Sequence, residues 1–168
     1  MIKMKSLAAL AAIVGMTTLL AGQSIADTAD TADASAAKQK VVYHINYDNP
    51  KQQAGALRNV QNHINAVGAE NLDLKVVLHG NGLALLLDPA SLERLPKFKH
   101  ANATDEMIAK IDSLRDQGIQ FQVCANTIKG RQVDLANDLY YVEEADIVPS
   151  GVAQLAILQS QGYAYIKP

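Results

Sequence analysis

The feature that most constrains the fold of this chain is its alternation of short apolar runs with longer amphipathic segments. Residues 41–47, 72–78 and 119–123 are rich in Val, Ile and Leu, and the segments between them carry apolar residues at helical spacing. Residues 147–148 and 163–166 are two further short runs, one on each side of a last helical segment. Strands that alternate with helices form β-α-β units, whose strands pair in parallel. We therefore expect a single three-layer α/β/α domain with a mainly parallel sheet of about five strands.

Capping residues set the predicted ends of the helices. Asn49 can cap a helix that has Pro50 in its first turn, and Gly68 then ends that helix. A second long helix starts at Asn102 or Thr104 and ends before Gly118. A short buried helix is expected over residues 83–87, and a last helix starts within residues 149–151.

The first 40 residues are predicted to lie outside the folded domain. A short basic start, an apolar run over residues 7–20 and small residues before position 27 are typical of a secretory signal peptide, assigned to residues 1–26. Residues 27–40 repeat Thr-Ala-Asp and contain no large apolar side chain, so they are interpreted as a disordered leader. The domain is then expected over residues 41–168, and the signal favours a bacterial periplasm.

Charge and hydropathy exclude several classes of partner. The formal net charge is −2, and it becomes more negative when the signal peptide takes Lys3 and Lys5 with it. An acidic, well-mixed surface gives no reason to expect nucleic acid or an anionic membrane surface as a partner. No second long apolar run follows the first, so no membrane association is expected after signal cleavage.

Cys124 is the candidate nucleophile. It is the only cysteine of the chain, so it cannot form a disulfide within the chain. It lies between the end of the third predicted strand and a predicted helical turn. The positive end of a helix dipole and free backbone N–H groups at such a position favour the thiolate, which is the reactive form.

Other polar residues are predicted to share the edge of the sheet where Cys124 lies. His44 and His79 come late in the first strand and just after the second, so we assign both, with Cys124, as catalytic candidates. Asn81, Gly82 and Asn126 follow in the loops as ligand-binding candidates. A hydrogen-bonded core histidine is the alternative interpretation of His44, and a tight turn is the alternative for the glycines around Asn81. Their spacing matches neither common phosphate-binding motif, so no cofactor is expected.

Several blocks of the sequence resemble exported DsrE-like proteins, and together they cover almost all of the predicted domain. They are residues 41–44, 76–82, 118–128, 147–153 and 162–167. The resemblance to the DsrE/DsrF/TusD family implies a small three-layer α/β domain that assembles into homo- or hetero-oligomers. Some members carry sulfur as a persulfide on a cysteine at the position that Cys124 matches. Characterised members are cytoplasmic, so their pathways are not carried over to an exported chain.

Three hypotheses about function follow. The first is a periplasmic sulfur carrier or sulfurtransferase that holds sulfane sulfur on Cys124, exchanges it with a donor or acceptor protein or small thiol, and forms homo-oligomers. The second is a binding protein that uses Cys124, His44 and His79 as ligands of a soft metal. No close-spaced pair of ligands supports it, so no metal site is assigned. The third is an oligomeric interaction module in which the thiol is buried and inert.

Overall fold

The computed structural model describes residues 37–168, which form a three-layer domain around one parallel sheet. The strands are β1 (Gln39–Ile45), β2 (Leu72–Leu78), β3 (Gln120–Cys124), β4 (Ile147–Val148) and β5 (Ala164–Ile166). Their order is β4-β3-β2-β1-β5, and every neighbouring pair is parallel. The predicted fold class, with five strands, is confirmed.

The predicted start of the domain needs a small correction. The signal peptide assigned to residues 1–26, and most of the leader assigned to residues 27–40, lie outside the described residues. Gln39 and Lys40, however, belong to β1 and pair with Leu72 and Asp73 of β2. The folded domain therefore begins before Val41, because backbone pairing with β2 recruits two residues whose polar side chains are exposed.

Five α-helices connect the strands in the described part of the chain. They are α1 (Pro50–Val67), α2 (Asp105–Asp116), α3 (Ala125–Arg131), α4 (Leu135–Asp138) and α5 (Gly151–Ser160). Short 3₁₀ segments include Gly80–Leu85, directly after β2. The predicted caps are present: the Asn49 side chain accepts a hydrogen bond from the Gln52 amide at 3.1 Å, and α1 ends at Gly68, whose φ is 89°. Among residues 37–168, no helix is long and apolar enough to cross a membrane.

The order of the strands explains which face each helix covers. The chain steps from β1 to β2 to β3 in one direction, and the connecting helices α1 and α2 pack on one face of the sheet. After β4 the chain returns through α5 to place β5 on the far side of β1. Since parallel crossovers are right-handed, this change of direction puts α5 on the opposite face. The chain thus adds β2, β3 and β4 on one side of β1 and its last strand on the other. Ligands of open α/β sheets commonly bind at such a change in strand order, which here lies between β1 and β5.

The two faces of the sheet carry cores of different size. Alternate strand residues, Tyr43, Ile45, Val76, Leu78 and Phe121 among them, join α1, α2 and the segment after β2 in the larger core. The smaller core lies under α5 and contains Val42, Val77, Leu155, Leu158 and Tyr163. The outer side of α5 is also apolar, with Val152 64% and Ile157 48% exposed. The catalytic candidates lie on this α5 face.

Candidate functional site

Cys124 ends β3 and immediately precedes α3, as predicted from the sequence. Strand alternation places its side chain on the face opposite that of Phe121 and Val123, which belong to the larger core. The residue is only 5% exposed. The thiol is therefore enclosed at the carboxyl edge of the sheet, beneath the first turn of α5.

The sulfur of Cys124 receives hydrogen bonds from the starts of two helices. The donors are the Gly151 amide of α5 and, in α3, the amides of Asn126 and Thr127 and the Thr127 hydroxyl. Burial is the largest single effect and by itself raises the pKa of the thiol. The four hydrogen bonds together outweigh it, so the pKa of Cys124 lies below its ordinary value. The site is built to favour a thiolate.

Thr127 was not predicted as a site residue. Its hydroxyl accepts a hydrogen bond from the Gly80 amide at 2.8 Å and donates its own hydrogen to Cys124. A hydroxyl has only one hydrogen to donate, so the amide of Gly80 helps to orient that hydrogen towards the sulfur. The loop after β2 is in this way connected to the thiol through one side chain.

Gly151 allows α5 to approach the site closely. A Cβ atom at this position would lie 2.8 Å from the Cβ of His79 and 3.3 Å from the Cβ of Cys124. The first of these distances is shorter than any normal contact between carbon atoms, so only glycine lets the amide of residue 151 reach the sulfur without displacing His79.

His44 and His79 form a hydrogen-bonded pair next to the thiol. Their Nε2 atoms are 2.7 Å apart, their ring centroids are 4.7 Å apart, and their ring planes are inclined by 24°, so the two rings meet edge to edge through these nitrogen atoms. The Nδ1 atom of His44 lies 2.7 Å from the hydroxyl of Tyr165 in β5. His44 is 7% exposed and Tyr165 is 42% exposed, so this chain of hydrogen bonds runs from the enclosed site to the surface.

Burial and charge keep both histidines neutral. The pKa of His44 is lowered to about 4, first by burial and then by the positive charges of His79 and Lys167. Burial, followed by the charge of Lys167, also lowers the pKa of His79. Neutral imidazoles at pH 7 can accept a proton, as general bases must.

The loop residues predicted to bind a ligand have contacts within the protein. The side chain of Asn81 accepts a hydrogen bond from Arg131 at 2.6 Å. Gly82 is buried, and a Cβ there would lie 1.9 Å from the carbonyl oxygen of Ile45, which accounts for the glycine without a ligand. The side chain of Asn126 is exposed, and the residue reaches the site through its amide. Ligand binding by these three residues stays a prediction.

The soft-metal hypothesis finds no geometric support. Within residues 37–168, no three or more His, Cys, Asp or Glu side chains are arranged to hold a metal ion. In particular, the Nε2 atoms of His44 and His79 face each other rather than a common third point. The structure brings Cys124, His44 and His79 to one edge without forming a coordination site.

Four residues contribute to the site although they were not predicted from the sequence. They are Thr127, Gly151, Tyr165 and Lys167. Gly151 lay in one of the blocks that carried the family resemblance, which was a signal that could have been used. Tyr165 and Lys167 were placed on or after a last strand, but nothing in the sequence shows that this strand pairs with β1. Their place beside His44 follows from the strand order alone.

The fold is that of a known family. The chain belongs to the DsrE/DsrF-like family, which it matches over residues 39–168. Members of this family are commonly related to sulfur relay. The resemblance seen in the sequence is thereby confirmed.

Two solved structures are similar to this chain. MTH1491 from Methanobacterium thermoautotrophicum, a protein of unknown function, is 27% identical, with a TM-score of 0.61; the match covers 78% of this chain and 100% of that one. The ychN protein from E. coli is 14% identical, with a TM-score of 0.56, and the match covers 77% and 99% of the two chains. The second similarity concerns the fold alone. No curated protein matches the chain.

Proposed function

We propose that this protein is a sulfur carrier or sulfurtransferase that holds sulfane sulfur as a persulfide on Cys124. The observation that carries the proposal is the set of four hydrogen bonds that two helix starts direct at one enclosed thiol. Such donors stabilise the thiolate as a nucleophile and, after transfer, the negative charge of the persulfide. Membership of a family commonly related to sulfur relay supports the same function.

The reaction consists of two sulfur transfers. The Cys124 thiolate attacks the sulfane sulfur of a donor, a bond forms between the two sulfur atoms, and the donor's leaving group departs with the electron pair of its broken bond. An acceptor thiolate then attacks the outer sulfur of the persulfide, and Cys124 leaves again as a thiolate. Each step exchanges one bond between sulfur atoms for another, so no external oxidant or reductant is needed.

The two histidines supply the proton transfers in this proposal. Cys124 enters the cycle as a thiol when its pKa exceeds the ambient pH, and a neutral imidazole beside it can take up that proton. His79 is the candidate for this step, because its Cβ and the Cβ of Cys124 both lie within 3.3 Å of the position that a Cβ atom at Gly151 would occupy. His44 and Tyr165 continue the hydrogen-bonded chain to the surface, where water can receive the proton.

The enclosure of Cys124 supports a carrier that protects its cargo. A persulfide is readily reduced by small thiols, and a cysteine residue that is only 5% exposed is shielded from them. The same enclosure restricts direct attack to donors that present a narrow sulfur-bearing end. It is also the observation that favours the competing function, an interaction module with an inert thiol.

Location and partners form part of the proposal. The signal peptide predicted from the sequence supports a periplasmic location, where the protein would exchange sulfur with a separate donor and acceptor. The apolar outer side of α5, with Val152 and Ile157 exposed, supports self-association into a homo-oligomer. Fractionation of cells and the mass of the purified protein in solution test these two points.

The decisive experiment measures the reactivity of the native thiol. Alkylation rates of Cys124 between pH 5 and 10 should give an apparent pKa below that of a free thiol, and exposure to polysulfide should add the mass of one sulfur. The Cys124→Ser variant should gain none. A thiol that reacts only after unfolding would show that Cys124 is a packing residue and would leave the interaction module as the function.

A further inference from the structure

The end of α3 and the segment of residues 97–99 carry basic side chains and are fastened to each other. The ammonium group of Lys97 donates a hydrogen bond to the carbonyl oxygen of Gly130 at 2.6 Å, and Arg131 donates one to the carbonyl oxygen of Lys97 at 3.0 Å. The guanidinium group of Arg131 also lies 4.3 Å from the centre of the Phe98 ring. The four basic side chains brought together in this way, named here the basic surface, are Lys97, Lys99, Lys129 and Arg131.

The basic surface is not neutralised by neighbouring carboxylates. All ion pairs within residues 37–168 involve other cations, so none of the four side chains is paired with an Asp or Glu. The charge of Asp48 acts on Arg131, but the Asp48 side chain is only 16% exposed and lies 3.7 Å from His100. The three lysines, in contrast, are exposed. This part of the protein surface is therefore positive, although the chain as a whole is acidic.

The basic surface and the thiol are joined through α3. This helix begins directly after Cys124, and Lys129 follows at a distance of about 7.5 Å along the helix axis. Arg131 in its last turn donates a hydrogen bond to the side chain of Asn81 at 2.6 Å. The amide of the residue before Asn81 donates to Thr127, whose hydroxyl donates to the sulfur of Cys124. The four cations thus lie at the same edge of the sheet as the thiol and next to it.

We infer that the basic surface binds an acidic region of the protein that exchanges sulfur with Cys124. The inference rests on the proposed function, for which it names the chemistry of the partner. Complementary charges on two proteins raise the rate of their encounter and fix their orientation. Because Cys124 is only 5% exposed, a partner has to be held at this edge while its sulfur-bearing group enters the site.

A protein partner fits this surface better than a nucleic acid does. Proteins that bind single strands combine cations with exposed aromatic rings, on which the bases stack. The aromatic ring of the basic surface is that of Phe98, which is 5% exposed and is covered by Arg131. Beyond the basic surface, an acidic chain would repel a long polyanion, whereas a protein needs only a local acidic region.

Two activated peptides of equal length test the inference on the native protein. Each has a central cysteine held as a 2-pyridyl disulfide, which three glutamates flank on either side in one peptide and three glutamines in the other. The Cys124 thiolate forms a disulfide with the peptide, and pyridinethiolate leaves with the electron pair. The ratio of the acidic to the neutral rate cancels any change in the thiol pKa. Divided by the ratio for N-acetylcysteine amide, it should exceed 1 and fall towards 1 as salt is added.

A double variant of exposed lysines should remove this preference. Lys99→Gln combined with Lys129→Gln should lower the normalised ratio on the order of tenfold at low salt, if each lysine attracts about two glutamates roughly 10 Å away. Lys38→Gln combined with Lys40→Gln is the matched control, because it removes the same charge at the opposite end of β1. It should leave the ratio unchanged. A native normalised ratio of 1, or an equal fall in both double variants, overturns the inference.

A binding measurement separates this inference from the proposed function. Fluorescence anisotropy of Cys124→Ser with the labelled acidic peptide, its cysteine replaced by serine, detects binding without thiol chemistry. Adding Lys99→Gln and Lys129→Gln should weaken this binding on the order of tenfold. Such binding, with no sulfur gained by the native protein from polysulfide, would overturn sulfur transfer and keep the basic surface.

Two other outcomes would overturn the inference itself. Sulfur uptake by Cys124, with no effect of the Lys99 and Lys129 variants on either measurement, would keep sulfur transfer and remove the basic surface as the place where the partner binds. Tighter binding of an oligothymidylate that carries the same charge as the acidic peptide would assign the surface to nucleic acid instead.

Discussion

The Nε2 atoms of His44 and His79 face each other at 2.7 Å, so one of them must carry a hydrogen and the other must not. If both neutral imidazoles took up a proton, two N–H groups and two positive charges would face each other. The pair therefore behaves as one titrating unit in which the first proton opposes the next. Tyr165 continues this unit, because its hydroxyl contacts the remaining nitrogen of His44.

The histidine pair should make the fold less stable in acid. The pKa of His44 is about 4 in the folded protein and about 6.5 when the chain is unfolded, so the unfolded state binds more protons between these values. The free energy of unfolding should then fall as the pH drops from about 6.5 to about 4, by roughly 1–2 kcal/mol once screening by water is included. Urea unfolding at several pH values measures this change.

The control for this prediction is a histidine on the other face. His44→Asn should flatten the dependence on pH over that range, whereas His63→Asn, on α1, should retain it. An equally steep fall in both variants would show that groups other than the His44 pair govern acid stability.

Thr127→Val should raise the pKa of Cys124. The substitution keeps the shape of the side chain but removes the hydroxyl that donates to the sulfur, and one such hydrogen bond to a charged group corresponds to about one pKa unit. The pH dependence of alkylation measures the shift. Thr127→Ser keeps the hydroxyl and should show the native pKa; a serine variant as strongly shifted as the valine variant would assign the effect to packing instead.

Gly151→Ala should impair the site more than the fold. The added methyl group meets His79 and Cys124, so the start of α5 must move away and its amide must leave the sulfur. We expect a loss of stability of about 1–3 kcal/mol, typical of overpacking, together with a higher pKa of Cys124. Gly130→Ala is the control, because no atom lies within 4 Å of the added Cβ and alanine favours the helix. Comparable losses in both variants would contradict the steric role of Gly151.

Gln53→Leu should destabilise the loops that support the site. The side chain of Gln53 is completely buried; its Nε2 donates to the carbonyl oxygens of Tyr47 and Gly82, and its Oε1 accepts from Asn102 at 2.7 Å. Removal leaves three buried polar groups without this partner, at a cost of about 2–4 kcal/mol. Thermal unfolding measures the loss, and Gln52→Leu, at an exposed neighbour, should change stability by less than about 0.5 kcal/mol. A change that small for Gln53→Leu would show that water replaces its side chain.

The sequence was sufficient to predict the layers of the fold and three members of the site. Parallel strands end at one edge, so His44, His79 and Cys124 could be placed together once their strands were recognised. The helix starts at Asn49 and at Ser150 could also be recognised, because their capping side chains are local signals.

The remaining features depend on relations between distant parts of the chain. That β5 pairs with β1 is decided by the path of α5 across the sheet, and no local pattern near Tyr165 encodes it. The burial of Gly82 against the carbonyl oxygen of Ile45 is likewise a contact between the end of β1 and the 3₁₀ segment after β2, whereas its sequence neighbours suggested a ligand. Gln39 and Lys40 were assigned to the leader because composition reports side chains and not backbone pairing.

Three of the four groups that donate to the Cys124 sulfur are backbone amides, which every amino acid except proline possesses. The lowered pKa of the thiol therefore depends mainly on the positions of two helix starts, and only in small part on the identity of the side chains. Substitutions at Asn126 can accumulate without loss of its donor, while a shift of α3 or α5 by a fraction of a turn removes several donors at once. Descendants of this protein could thus diverge widely in sequence around Cys124 and keep a reactive sulfur.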